Sequence, residues 1–382
     1  MKILFVSMPS IHVIRWIENL KDANHELYWF DILNRGRLDT LDTVHQFTNW
    51  KIRKLPYVKG EYFLSKKVPF LYQKLIPFLE VTENEALEKI ILEIQPDMVH
   101  SLEMQSCSYP ILETMLKFPQ IKWLYSCWGS DLFYYMNFKD DNRKIKNIIK
   151  RVDFLHTDCK RDFVLAKQLG FSGIHVGVIP GGTGYKINEL ESYIIPVKER
   201  KIILVKGYEH RSGRGLNIIK ALHSLQNEIK NYQIIVFGSH SKVVEYIKNN
   251  KLNFVYFDRH ELSHDKLIKT MGKSLLYIGN SISDGMPNTL LEAIVMGAFP
   301  IQSNPGDASA EIIKNGVNGF LIQNPESISE IEGHILNALS DFERLGKAAI
   351  ENEKIAFEKL DYSINKLKVI EMYKTILNAN RI

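Results

Sequence analysis

Short apolar runs of strand length alternate with segments of helical period along most of this chain, and the alternation occurs twice. The first series reads as strands over residues 2–8, 25–32, 97–102, 121–128, 152–157 and 174–180, with helical patterns over 11–21, 83–94 and 142–151. The second series has strands over 202–205, 233–237, 254–257 and 275–278, and helices over 216–226, 243–248 and 264–271. Such βα alternation predicts parallel sheets with helices on both faces. Between the two series lie Gly181, Gly182 and Gly184 and a polar stretch without clear period up to residue 200, which reads as a linker. At 382 residues the chain exceeds one ordinary core, so two domains are expected. A last helical, charged run covers 350–377.

Composition narrows the class further. With 45% hydrophobic and 24% charged residues the chain reads as a soluble globular protein. Residues 2–7 read as a first strand and not a signal peptide, because Ser7 and Pro9 end the apolar run early. No apolar stretch approaches the roughly 18 residues of a membrane span. Cys107, Cys127 and Cys159 are odd in number and lack C-x-x-C spacing, which points to a reducing cytosol without a metal site. The net charge of +5 permits an anionic partner.

The most specific stretch is S-D-G-M-P-N-T-L-L-E-A-I-V-M-G-A-F-P-I, residues 283–301. It runs from the apolar strand at 275–278 through a glycine-containing loop into a helix, with Pro287 expected at its first position and Gly297 at its end. A strand, a loop and a helix N-terminus make an anion cradle, since unpaired amides and the positive dipole end converge there. Glu292, about one turn in, can accept two hydrogen bonds from a vicinal diol such as a ribose, and Asp284 on the loop can meet a second sugar. A nucleotide-sugar has that layout. The alternative is that Asp284 caps a turn and Glu292 faces solvent.

This phrase resembles the E-x7-E donor signature of the retaining glycosyltransferases of family GT4, with Asp284 in place of the first glutamate and Glu292 as the second. Residues 304–307, N-P-G-D, and 311–319, E-I-I-K-N-G-V-N-G, resemble that family's next loop and helix. The resemblance implies the GT-B fold: two tandem Rossmann-like, doubly wound parallel-sheet α/β domains with an inter-domain cleft. It places an acceptor domain at 1–184, a nucleotide-sugar donor domain at 185–355, and a C-terminal helix at 356–382 crossing back to the first domain. It also implies that Glu292 holds the ribose, that Asp284 meets the transferred sugar, and that Gly285, Met286, Pro287, Asn288 and Thr289 line the donor. Residues 205–216, V-K-G-Y-E-H-R-S-G-R-G-L, resemble the family's cationic segment, with Arg214-Gly215 at its K-G position and Lys206 or Arg211 standing for its arginine. Fixed cations stabilise a departing diphosphate, so no metal and no further cofactor is expected.

In the first domain, Ser10 and His12 follow the first strand, His100 ends another in a D-M-V-H element, and Trp128 and Asp131 lie in a W-G-S-D loop. The resemblance puts all five on the acceptor side; a structural role for His12 and a helix-capping role for Asp131 are the alternatives. Leu102 stands where some members carry a histidine, so no protein base is assigned, and the departing phosphate is expected to take the acceptor's proton. The implied activity is transfer of a hexose or N-acetylhexosamine, from UDP by first expectation, to a glycan or lipid-linked saccharide in bacterial-type surface polysaccharide synthesis. Rival readings are a GT-B-like 2-epimerase and a non-catalytic nucleotide-sugar-binding module. Lysines and arginine interleave with aromatics over 50–74, which suits an anionic membrane, at the inner face of the plasma membrane, or else a solvated basic face over core aromatics. No nucleic-acid module is visible.

Overall fold

The computed structural model describes residues 1–259 and 261–379. The chain divides into two compact units: residues 1–157, 163–177 and those from 369 on form the first, and residues 158–162 and 178–368 the second.

The first unit is built on a seven-stranded sheet. Its strands are β1 (Lys2–Ser7), β2 (Glu26–Asp31), β3 (His45–Phe47), β4 (Met98–Leu102), β5 (Lys122–Cys127), β6 (Phe154–Thr157) and β7 (Ile174–Val178), in the order β3-β2-β1-β4-β5-β6-β7. Central strands of such a sheet are covered on both faces, which explains why β1 is buried beyond Lys2 and β4 along its whole length, without alternation. The helix Glu83–Ile94 starts with a reciprocal cap between Thr82 and Glu85, stops at Gln95 in the left-handed region, and packs Leu87 and Ile91 into the core with Leu4, Val6 and Trp123.

The second unit has six strands: β8 (Ile202–Lys206), β9 (Gln233–Phe237), β10 (Val255–Tyr256), β11 (Ser274–Gly279), β12 (Phe299–Ser303) and β13 (Phe320–Ile322), ordered β10-β9-β8-β11-β12-β13. Alternate residues feed opposite layers. Ile203, Val205 and Ile278 join one apolar cluster with Ile218 and Leu222, whereas Leu204 and Tyr277 join another with Leu290 and Leu291. This is the doubly wound arrangement the alternation predicts. The strand β12 went unpredicted because Pro300 lies in it, paired in register with Tyr277 although a proline cannot donate to the ladder. The helices Glu61–Lys67 and Pro69–Leu79 were also unassigned from the sequence. The final run is two helices, Phe342–Ile355 and Tyr362–Asn378, separated by a wide turn over Ala356–Leu360.

His100 lies inside the first unit's core, fully buried, with both ring nitrogens occupied: Nδ1 meets the Tyr373 hydroxyl at 2.7 Å and Nε2 the Ser126 hydroxyl at 2.7 Å. The Trp16 indole N–H donates to the same Tyr373 oxygen at 2.9 Å. Burial and the neighbouring His156 hold the His100 imidazole well below its usual pKa, so it is neutral. Its expected place on the acceptor side is therefore corrected: it is a core hydrogen-bonding group. Tyr373→Phe removes the oxygen that Trp16 and His100 share, and is expected to cost about 1–3 kcal/mol in a denaturant titration.

Candidate functional site

The site is positioned by the adjacency of β8 and β11, whose C-terminal ends open into the cationic loop and the acidic loop respectively. Ligands of open α/β sheets sit at such ends. The two loops run alongside each other: the Arg214 N–H donates to the Asn280 carbonyl at 3.0 Å, the Ile282 N–H to the Ser212 carbonyl at 2.8 Å, and Gly213 bridges Ser281. A β-carbon on Gly215 would lie about 3 Å from the backbone of residues 206–208, so the helix Gly215–Ser224 can start this close only with glycine there.

Across this pair of loops Lys206 Nζ lies 3.8 Å from Asp284 Oδ2, and it sits 4.9 Å from the Tyr208 ring centroid. Asp284 Oδ1 also accepts the Gly285 N–H at 3.0 Å. Arg214 turns elsewhere. Its guanidinium pairs with Glu326 and donates to the carbonyls of His210, Arg211 and Gly213, stapling its own loop. Arg211 is exposed. Among the expected cations, Lys206 lies beside the carboxylate of the acidic loop.

The helix expected after Pro287 spans Asn288–Val295, with Pro287 one position earlier than expected, as N-cap. Thr289 Oγ1 hydrogen-bonds the buried Tyr277 hydroxyl at 2.8 Å, tying the first turn to β11. Glu292 is 3% exposed, which removes the reading in which it faces solvent. Its Oε1 lies 2.7 Å from His264 Nε2, a partner contributed by the first residue of the helix His264–Met271. Sequence reasoning missed His264, because it lies 28 residues upstream and nothing local marks it.

Residues 158–162 complete the loop's surroundings. Asp158 Oδ2 accepts the Met286 N–H at 3.2 Å, and Arg161 donates to the carbonyls of Asp284 at 2.8 Å and Pro305 at 2.6 Å. A β-carbon at Gly285 would lie 2.4 and 2.6 Å from the Asp158 carboxyl oxygens, so glycine is required where the loop passes this side chain. Asp158, Cys159 and Asp162 are of metal-ligating type and close together. Their chemistry is nevertheless that of a hydrogen-bonded cluster: Arg161 neutralises Asp162 at 2.7 Å, the Cys159 thiol donates to Asp162 at 3.1 Å, and burial raises the thiol pKa far above its usual value.

In the first unit, Ser10 caps the helix Ile11–Glu18 through the Val13 N–H at 3.4 Å. The His12 and Trp128 rings meet edge-on with centroids 5.7 Å apart, so these two candidates do come together. Asp131 is buried and accepts the Tyr125 hydroxyl at 2.6 Å and the Trp128 N–H at 3.0 Å. It organises the 127–131 turn and makes no cap bond to the short helix Ser130–Phe133, whose N-cap is Gly129.

The family described as Glycosyl transferases group 1 matches residues 186–354, and Glycosyl transferase 4-like matches residues 2–154. An uncharacterized glycosyltransferase of Methanocaldococcus jannaschii is 27% identical over 164 residues, which is 42% of this chain and 40% of the length of that curated relative. Among solved structures, HepE of Anabaena in complex with UDP is 14% identical, aligned over 98% of this chain and 100% of its own, with a TM-score of 0.71. Sucrose-phosphate synthase from Thermosynechococcus elongatus is likewise 14% identical over the whole of both chains, with a TM-score of 0.72. The fold is thus GT-B, two Rossmann-like domains in tandem. The chain belongs to the group 1 glycosyltransferases, of GT4 type.

Burial, with the Asp162 charge second, holds the Asp158 carboxyl well above its ordinary value of 3.8. A raised carboxyl keeps its proton in the fold while the unfolded chain loses it, so stability falls as pH rises past 3.8 until the raised value is reached. Asp158→Asn keeps an oxygen for the Met286 N–H and cannot ionise. Its Tm relative to the parent protein is expected to climb between about pH 4 and pH 8 in a thermal melt series.

Proposed function

We propose that the chain is a retaining glycosyltransferase that moves a hexose or N-acetylhexosamine from a UDP-sugar to a hydroxyl of a glycan or lipid-linked saccharide. The observation that carries this reading is the buried Glu292, oriented by His264, on the helix whose preceding loop presents Asp284 against Lys206. A carboxylate held this way accepts both hydroxyls of a ribose, while the loop and helix start receive the diphosphate. Lys206 then stabilises the charge that develops as the bond between the sugar and the diphosphate breaks. Asp284 orients the hydroxyls of the sugar being moved. The departing phosphate oxygen takes the acceptor's proton on the same face, giving retention without a protein base, and Lys206 does the work of a metal.

UDP is favoured because structures of the same fold are described in complex with UDP and with UDP-glucose. Surface polysaccharide assembly, on the cytoplasmic face of a membrane, is the setting we propose.

Isothermal titration with UDP tests the ribose assignment. Glu292→Gln is expected to weaken binding by about 10- to 100-fold, the worth of a charge-assisted hydrogen-bond pair. An unchanged Kd would overturn it. Lys206→Met is expected to lower turnover of a cognate UDP-sugar by about 100-fold or more, with a smaller loss in UDP affinity. A product whose anomeric configuration is inverted would reject the retaining mechanism, and conversion of donor alone into an epimer would reject transfer.

A further inference from the structure

The hairpin formed by Glu61–Lys67 and Pro69–Leu79 leaves large apolar side chains exposed. A polar cluster anchors its inward side, beside the partly buried Leu64, Ile76 and Leu79. The Glu61 carboxylate is buried and accepts from Arg53 Nη1 and Nη2 at 2.7 and 2.9 Å, from the Tyr72 hydroxyl at 3.0 Å and from the Val58 N–H at 3.2 Å. Backbone bonds from Lys54 to Leu79 (2.8 Å) and from Val81 to Ile52 (2.9 Å) fasten the same edge.

The outward side is apolar. Tyr62, Phe63, Phe70 and Phe78 are 76%, 62%, 67% and 70% exposed, and no residue of the helix Pro69–Leu79 is fully buried. At 100° per residue, positions 70, 71, 74, 75 and 78 share an arc of about 140°, so Phe70, Leu71, Leu75 and Phe78 form one stripe with Lys74 among them. Lys74 Nζ lies 4.5 Å from the Phe70 ring centroid and Lys66 Nζ 6.0 Å from that of Tyr62, so the ammonium groups share a side with the rings.

Charge selects the occupant. Residues 51–80 hold six lysines and Arg53 against two acids, Glu61 and Glu80, both paired with Arg53. This short segment carries as large a positive excess as the whole chain. A second copy of the same face would be repelled by it, and a nucleic acid would leave the phenylalanine stripe in water. A surface that is anionic outside and hydrocarbon beneath satisfies both features. We propose that this hairpin docks the protein on an anionic phospholipid surface, with the aromatic stripe among the acyl chains and Lys66, Lys67 and Lys74 at the headgroups. The inference rests on the proposed work at a membrane face and not on the donor assignment.

Co-sedimentation of the full chain with vesicles, without nucleotide-sugar, tests it. Binding to phosphatidylglycerol-containing vesicles, weakening with salt, and little binding to pure phosphatidylcholine are expected. Phe63→Ser/Phe70→Ser/Phe78→Ser and Lys66→Glu/Lys67→Glu/Lys74→Glu are each expected to lower partitioning by about 100-fold or more. Both change exposed side chains, and an unchanged circular dichroism spectrum confirms folding; the salt and lipid dependence of the unaltered protein stands without either. Equal binding to both vesicle types, partitioning insensitive to either triple change, or concentration-dependent self-association in place of vesicle binding would overturn the proposal. Retained UDP affinity in the same variants separates failure of docking from failure of the donor site.

Discussion

Pairing of β8 with β11 is the constraint on which the candidate site depends. Neighbouring strands in a parallel sheet end side by side, so the loops that leave them must share one patch of surface. Here those loops carry opposite charges, and backbone hydrogen bonds between 212–214 and 280–282 draw them together. The Lys206–Asp284 contact follows from topology before any ligand arrives. Glycine at 215 then lets main chain approach main chain, and at 285 the Asp158 carboxyl, where a β-carbon would collide.

The same constraint explains which candidates could be read from the sequence. Strand and helix alternation is a local, repeated signal, and it led to two doubly wound domains. Glu292 and Asp284 stood out because eight positions separate them across a loop and a helix start. His264 was invisible because its relation to Glu292 is purely spatial, and so was the pairing of Arg214 with Glu326, more than a hundred residues away. His100 failed for a different reason: a polar residue at a strand's C-terminal end resembles a ligand group until Tyr373 and Ser126 are seen to consume both nitrogens. Helix Pro69–Leu79 escaped because its apolar stripe is real but faces outward, so the pattern had no core to explain it.

The residues proposed for the donor and those proposed for the membrane occupy separate compact units. Glu292, Asp284 and Lys206 belong to the second unit, with residues 158–162 lent to it by a chain that is otherwise in the first. The aromatic hairpin lies in the first unit, held by polar contacts that leave its rings to solvent. Substitutions in one set are therefore separable from the other.

Tyr373 has a consequence for biosynthesis. The strands that flank its hydroxyl's partners are translated early, yet the phenol arrives only after every strand of the second unit has been made. The unit whose synthesis begins first is thus sealed second. On the ribosome its Trp16 and His100 wait, without their shared oxygen, for a helix that is still to be translated.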